Sequence, residues 1–569
     1  MKQYKCIINN RDYTEWSLYN TNNLFDEVTL TDFHPIKHKL FNSDIFTINE
    51  EGVNIIHSTM HYITNIPGVL VLNGQCFGKA KNGKKLYKCI PDDKRLPVFL
   101  VPYEEKKALF SKKKVNKYIT FKYVNWENKH PFGIIIQTLG SVDELYNFYE
   151  YQLYCKSLNA SIQQFNKESK KAIQIYKCDE LVDAILSNNT SIQDRTSSNN
   201  IISIDSKSTT DYDDAFECNI IRENKYKLSI YISNVILWIE AMSLWNSFSE
   251  RVSTIYLPDK KRPMIPTVLS DCLCSLQQGE ERFAFCMDVT IENDEVSDIS
   301  FLNTLIKVEC NHSYNDNFSN ITTYQNTTDC IKILCQKYNF SLPHSKSPVD
   351  VVSFLMILMN YECGRKMALH NNGIFRAASI KENKTFSDTL PDEVQNFLLH
   401  WNNASGKYLI YDKNECSHDL LKLDSYIHIT SPIRRLVDLL NIIQFQLNEK
   451  IITNISEDCK EFLNKWLHKL DYINVTMRAI RKVQMDCSLL ELCKTNENIT
   501  HDKHVGYVFD KLKREDGLIQ YMVYIPSLKI TSRITTRHEK NNYDNAYFKI
   551  CIFMCENKLK QKIRLQILY

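Results

Sequence analysis

The 569 residues are 43% hydrophobic and 24% charged, ordinary for a soluble globular protein of about three to four domains, and the net charge is only +3. No run of eighteen apolar residues occurs, which argues against a membrane span, and any affinity for nucleic acid must come from local basic surface rather than from overall charge. The 19 cysteines form no C-x-x-C pair and follow no apolar leader, so they read as reduced thiols of a cytoplasmic protein, not as a disulfide framework or a zinc site.

Residues 1–50 show no clear period. From Val53 the texture turns to β. Asn73-Gly74, inside Val69–Phe77, and Asn82-Gly83, inside Lys79–Lys88, are turn signals between apolar runs and predict two hairpins. A second β block covers Val98–Val101, Tyr118–Val124 and Phe132–Ile136. Two small β units in tandem predict OB-type barrels, with boundaries drawn at 1–95 and 96–180. Lys84, Lys85, Lys106, Lys107, Lys112, Lys113, Lys114 and Lys117 precede Tyr118, Phe121, Tyr123 and Trp126. In an RNA-binding barrel, such lysines track phosphates and such aromatics stack on bases. The same pattern fits a solvated lysine loop over an aromatic core, and both readings stay open here. From Asp143 to about Tyr176, the spacing of Leu145, Phe148, Tyr149, Leu153 and Leu158 predicts one amphipathic helix. Ser187–Asn200 reads as a loop.

The next stretch carries the chemistry. Ile202–Ile204 reads as a short strand that delivers Asp205, and Ala215–Ile221 and Lys227–Ile232 read as further strands. Between them lie Asp211, Asp213 and Asp214. Four carboxylates this close repel one another unless cations sit between them. Oxygen ligands without Cys or His suit a hard cation, Mg²⁺ or Mn²⁺. A pair of such ions about 3.5–4 Å apart can activate water and stabilise the leaving oxygen in phosphodiester cleavage. The spacing lacks the glycine and terminal glutamate of a calcium loop.

Further along, Ile255-Tyr-Leu-Pro-Asp-Lys-Lys-Arg-Pro-Met264 runs on to Leu273-Cys-Ser-Leu276, and Tyr314 follows. Tyr426-Ile-His-Ile-Thr-Ser-Pro-Ile-Arg-Arg435 with Asp438 precedes an apolar helical run from Leu436. Ser431-Pro432 reads as a helix start that puts Arg434 in the first turn, near the positive end of the dipole, where it can grip a phosphate. After Asn498, His504–Phe509, Ile519–Ile525, Tyr547–Phe553 and Ile563–Tyr569 read as strands.

The Ser-Ile-Asp-x5-Asp-Tyr-Asp-Asp-Ala pattern, the segment from Tyr256 to Leu276, Tyr314 and the Tyr426–Asp438 box occur together in this order. Together they resemble the signatures of the ribonuclease II (RNB) family of 3′→5′ exoribonucleases. The resemblance implies an α+β multidomain chain with N-terminal cold-shock-like OB barrels, a central mixed α/β RNB catalytic domain at 195–495 and a C-terminal S1-like OB barrel at 498–569. His130-Pro-Phe-Gly133 with Thr138-Leu-Gly140 is similar to a stretch of the second cold-shock domain in eukaryotic members. The implied activity is Mg-dependent hydrolysis of single-stranded RNA from its 3′ end to nucleoside 5′-monophosphates, with the OB barrels closing a funnel over the catalytic domain. Asp205, Asp211, Asp213 and Asp214 would hold metal, and Asp213 and Arg434 would act in catalysis. Tyr256, Tyr314, Arg434 and Arg435 would bind substrate. Single-stranded RNA is the implied partner, and a monomer without an obligatory protein partner is expected. The sequence also departs from the family pattern. Ser353 stands where a glutamate usually contacts the terminal ribose, and a second such glutamate aligns near Ile480 or Arg481. Ile442 and Leu436 replace a histidine and a tyrosine, and the stretch between Tyr338 and Val352 is short. These departures motivate a second reading, an RNA-binding scaffold with an impaired nuclease domain.

Overall fold

A computed structural model of the chain describes residues 2–568 except 51, 105–113, 177, 339–346, 379–389, 403–405, 414, 497, 515 and 555–560. Lys106, Lys107, Lys112 and Lys113 of the lysine-rich stretch lie outside the described residues, as does most of the segment between Tyr338 and Val352. The chain divides into two compact units. One is formed by Met1–Asn159, Leu257–Asp259 and Lys482–Tyr569, the other by Ala160–Tyr256 and Lys260–Arg481. No helix among the described residues is long and apolar enough to cross a membrane.

In the first unit, the opening residues build a five-stranded antiparallel sheet around Gln3–Ile8. Its strands are five or six residues long, too short for a period to stand out in the sequence. A closed barrel follows, from Ile66–Leu70, Lys85–Pro91, Phe99–Tyr103, Lys117–Asn125 and Phe132–Ser141. It takes strands from both sides of residue 95. Sheet and barrel share one core in which Phe41 packs on Phe99, Tyr123 and Trp126.

Two local expectations fail here for identifiable reasons. Asn82-Gly83 does turn a hairpin, with Gly83 at a φ of +77° and Ala80 N–H bonded to Lys84 O. Asn73-Gly74 does not: its two flanks pair with the strand Lys85–Pro91 and not with each other, Val71 N–H bonding Lys88 O and Phe77 N–H bonding Leu86 O, while Asn116 Oδ1 accepts from the amides of Leu72 and Asn73. The helix expected over 143–176 is broken into Leu145–Cys155 and Gln163–Ile175, with Cys178–Asn188 following. Ser157 adopts a left-handed φ of 55°, and Leu158 N–H returns to Leu153 O at 2.7 Å, which ends the first helix. The aromatics after the lysines belong mostly to the core. Tyr118, Phe121 and Trp126 are buried, and Tyr123 packs against the same cluster. Lys114 and Lys117 place their ammonium groups over the rings of Tyr87 and Tyr103.

The C-terminal part of this unit is a curled antiparallel sheet in the order Ile530–Thr536, Ile519–Ile525, His504–Lys513, Asn545–Met554, Gln561–Leu568. Alternating Val508, Tyr521, Val523, Phe548 and Ile550 fill its concave side.

The second unit is organised on a seven-stranded mixed sheet. Its order is Gln193–Arg195, Glu295–Lys307, Glu281–Glu292, Lys225–Ser233, Asp214–Arg222, Ile202–Asp205, Cys310–Ser313. The edge strand Gln193–Arg195 is held by a buried ion pair. Arg195 donates from Nη1 and Nη2 to Asp288 at 2.9 and 2.6 Å, Ser229 adds a bond at 2.6 Å, and Lys227 lies 2.9 Å away. Burial pushes the Asp288 carboxyl up, but these partners outweigh it and hold the group well below the usual carboxylate range. A depressed carboxyl stabilises the fold above its unfolded value, about 3.9, and loses that contribution as pH falls toward the lower folded value. The stability difference between wild type and Asp288→Asn is therefore expected to shrink as pH is lowered from about 6 to about 3. Urea denaturation at several pH values measures it, and a constant difference would contradict the assignment.

Candidate active site

The strand Ile202–Asp205 is buried up to its last residue, so Asp205 emerges where the sheet ends. Parallel pairing with Cys310–Ser313 sets Tyr314 beside it, with Tyr314 N–H bonded to Asp205 O at 3.0 Å. The loop between Asp205 and Asp214 is clamped by the Leu273–Leu276 segment. Ser275 accepts from Tyr212 N–H and donates to Thr210 O, and Leu276 N–H bonds Tyr212 O. Asp214 then opens the strand Asp214–Arg222. The segments matched by sequence thus act as one mechanical unit: one carries the carboxylates, the other fixes their loop.

Asp213 faces the Thr430–Arg435 box. Its Oδ1 accepts from Ile433 N–H at 2.9 Å, and its Oδ2 accepts from Arg434 Nε at 3.0 Å. Arg434 Nη2 donates to Ser431 Oγ at 3.1 Å, and the Arg434 carbonyl is held by Thr254 N–H and Ser253 Oγ. The helix itself is Leu436–Asn448, so Arg434 stands before it and not in its first turn. Arg435 has an extended φ of −133°, and a turn closed on Ser431 O carries the chain into the site before the helix begins. Arg435 has a structural partner. Its Nη2 donates to the fully buried Asp438 at 2.7 Å, and Asp438 also accepts from Ser431 N–H at 2.8 Å. The Arg434 side chain keeps 45% of its surface exposed and is the arginine directed at the carboxylates.

Asp211 is engaged elsewhere. Its Oδ2 accepts from the Tyr256 hydroxyl at 3.0 Å and its Oδ1 from Lys261 Nζ at 2.9 Å. Tyr256 remains 41% exposed, so its ring face is open while its hydroxyl is fixed. Lys261 was not singled out in the sequence. It lies 50 residues from Asp211, and only the pairing of Ile255–Tyr256 with Lys261–Arg262 brings it there.

The electrostatics follow from this division. Burial, then the charges of Asp214 and Asp213, push the Asp205 carboxyl up to about 8 against the pull of Arg434. Burial raises Asp213 to about 7, with Arg434 and the Ile433 amide opposing, and raises Asp214 to about 6, with Arg434 opposing. Burial and the charges of Asp205 and Asp214 push the Tyr314 hydroxyl up to about 12. Among the described residues, no group of three His, Cys, Asp or Glu side chains is arranged to hold a metal ion as it stands. The four carboxylates are gathered at one place, but two are turned onto built-in cations. Asp205 Oδ2 is buried without a hydrogen-bond partner.

Ser353 lies on the helix Pro348–Leu369, one face with Asn360 at i+7. Asn360 is buried and splints the box, accepting from Ile429 N–H at 2.8 Å and donating to the Tyr426 hydroxyl at 3.1 Å.

Comparison with known proteins agrees with this geometry. Residues 193–330 and 343–453 match the RNB domain, and residues 86–150 match the Dis3-like cold-shock domain 2. Exoribonuclease 2 of Vibrio parahaemolyticus is 34% identical over 154 residues, 26% of this chain and 23% of that protein. The chain spans less than half the length of the first curated relatives it matches. Among solved structures, Mycoplasma genitalium RNase R in complex with ribose-methylated single-stranded RNA superposes with a TM-score of 0.67 at 14% identity, covering 99% of this chain and 100% of that one. Yeast Ssd1, a pseudonuclease, superposes with a TM-score of 0.59 at 14% identity, covering 94% and 78%. At such identities these structures speak for the fold alone. The motifs, the clamped carboxylate loop, the arginine box and the matched domain lead to one assignment: the chain belongs to the RNB domain family.

Proposed function

We propose that the chain is a hydrolytic 3′→5′ exoribonuclease that degrades single-stranded RNA to nucleoside 5′-monophosphates with Mg²⁺ or Mn²⁺. The observation that carries this reading is a cluster of four carboxylates, one of them bonded to the fixed Arg434, in which the buried Asp205 Oδ2 has no partner. An all-oxygen donor set with an unsatisfied buried oxygen fits a hard cation, which Asp205 and Asp214 would hold together with Asp213. When bound, such an ion supplies Lewis-acid charge and a more acidic water. The chain's own residues do the rest. Arg434, anchored by Asp213 and Ser431, keeps exposed N–H groups for the oxygens of the scissile phosphate. Tyr256 and Tyr314 flank the carboxylates, where their rings can stack on bases. Asp438 and Arg435 hold the box in register.

A second reading, an RNA-binding scaffold, has its own support. Ser353 replaces a family glutamate, and the described carboxylates do not converge as a ready metal site. A 5′-labelled oligoadenylate incubated with the protein in Mg²⁺, Mn²⁺ or EDTA separates the two. Metal-dependent shortening from the 3′ end with release of 5′-mononucleotides is expected. Intact RNA in both metals, with a retained gel shift, would leave the scaffold.

A further inference from the structure

The site contains a cation of its own besides Arg434. Lys261 Nζ lies 2.9 Å from Asp211 Oδ1, 2.9 Å from Asp271 Oδ1 and 2.6 Å from Thr210 Oγ1, so all three of its N–H donors have partners inside the cluster. Its side chain is only 22% exposed. Two elements fix this arrangement. Lys261 is the cross-strand partner of Tyr256, and both reach Asp211, one to each oxygen. Asp271 comes from the short π-helical segment Val268–Leu273, in which Ser270 Oγ also donates to Asp271 Oδ1.

The four carboxylates are therefore divided. Asp211 is bound to an ammonium, and Asp213 to a guanidinium. Asp205 Oδ2 has no partner, and the nearby charge of Asp214 acts on the same carboxyl. A lysine ammonium is a compact point charge. A divalent ion approaching Asp211 would meet that charge directly, in a partly buried setting where repulsion is poorly screened. An ion approaching Asp205 and Asp214 meets two carboxylates that repel each other.

We propose that Lys261 is a built-in cation of this centre, which neutralises Asp211 and confines divalent-cation binding to one ion on the Asp205–Asp214 side. Lys261 acts through Asp211 and is thus a positioning residue. The proposal rests on the metal-dependent nuclease reading, and its test is chosen to fail separately from it.

The test counts Mn²⁺ bound to the full chain without RNA, by isothermal titration calorimetry and by the electron paramagnetic resonance signal of free Mn²⁺. Wild type is expected to bind one ion per chain. Lys261→Met removes the charge and is expected to bind two. Lys261→Gln keeps an N–H donor for the acidic neighbours, guards against a folding defect in the methionine variant, and is also expected to bind two. Lys261→Arg keeps the charge and is expected to bind one. Two ions on wild type, or one ion on folded Lys261→Met and Lys261→Gln, would overturn the role of Lys261 and leave the nuclease reading standing. No Mn²⁺ on any of the four would overturn both.

Discussion

Asp213→Asn is expected to slow RNA shortening by roughly 10³-fold or more, while RNA affinity stays within a few-fold of wild type. The substitution is isosteric, and Ile433 N–H can still donate to the amide oxygen. The amide nitrogen, however, then faces Arg434 Nε, donor against donor, where the carboxylate now accepts at 3.0 Å. Arg434 loses the partner that aims it, and the cluster loses one negative charge beside Asp205 and Asp214. On the exoribonuclease reading both losses would fall on the phosphate being cleaved, whereas binding along the strand would use stacking and basic surface elsewhere. Single-turnover rates with 5′-labelled RNA and parallel gel shifts give the two quantities. A variant within about threefold of the wild-type rate would remove Asp213 from the chemistry.

Asp438→Ala is expected to destabilise the second unit by about 3–5 kcal/mol. Asp438 is fully buried, and its Oδ1 serves both Ser431 N–H and Arg435 Nη2. It also sits in the first turn of Leu436–Asn448, where the positive end of the helix favours an acid. Alanine leaves the Arg435 guanidinium without a counter-charge. Its other contact is His428, a ring that burial and the nearby arginines, Arg435 first, hold neutral. The magnitude therefore reflects an orphaned charge more than a lost hydrogen bond. Calorimetry should show the transition of this unit lowered by roughly 10 °C. A change below about 2 °C would mean that Arg435 is not paid for by Asp438.

What could be read in the sequence was local. Asp205, Asp211, Asp213 and Asp214 lie on one loop and the two strand ends it joins, and the run from Thr430 to Arg435 is contiguous, so spacing alone marks them. The strands Ile202–Asp205, Asp214–Arg222 and Lys225–Ser233 stand out as short apolar runs beside polar turns, and the runs Ile202–Ile204, Asp214–Cys218 and Leu228–Ser233 are buried on both sheet faces. What could not be read depends on contacts between distant segments. Nothing near Asp211 announces that Lys261 binds it, since that follows from a two-residue pairing. Tyr118, Phe121 and Trp126 carry the signature of base-stacking residues and of core equally; Phe121 and Trp126 join the core shared by sheet and barrel, and Tyr118, on the other face of its strand, is covered by Phe148 and Tyr151 of the helix Leu145–Cys155. Arg434 was expected in a first helical turn because Ser431-Pro432 is a good start signal. The bonds from Asp213 and Asp438 keep the backbone extended at Arg435 and delay the helix to Leu436.

The bond between Asp213 and Arg434 joins positions 221 residues apart. On the ribosome, the carboxylates leave the exit tunnel well before the arginine has been made. At roughly 5–20 residues per second the interval is about 10–40 s. Throughout it the nascent chain displays an acidic loop with neither guanidinium nor the Ile433 amide to organise it. The centre is assembled only after the box has been synthesised and docked, so a half-made chain holds the carboxylates without the arginine that orients one of them.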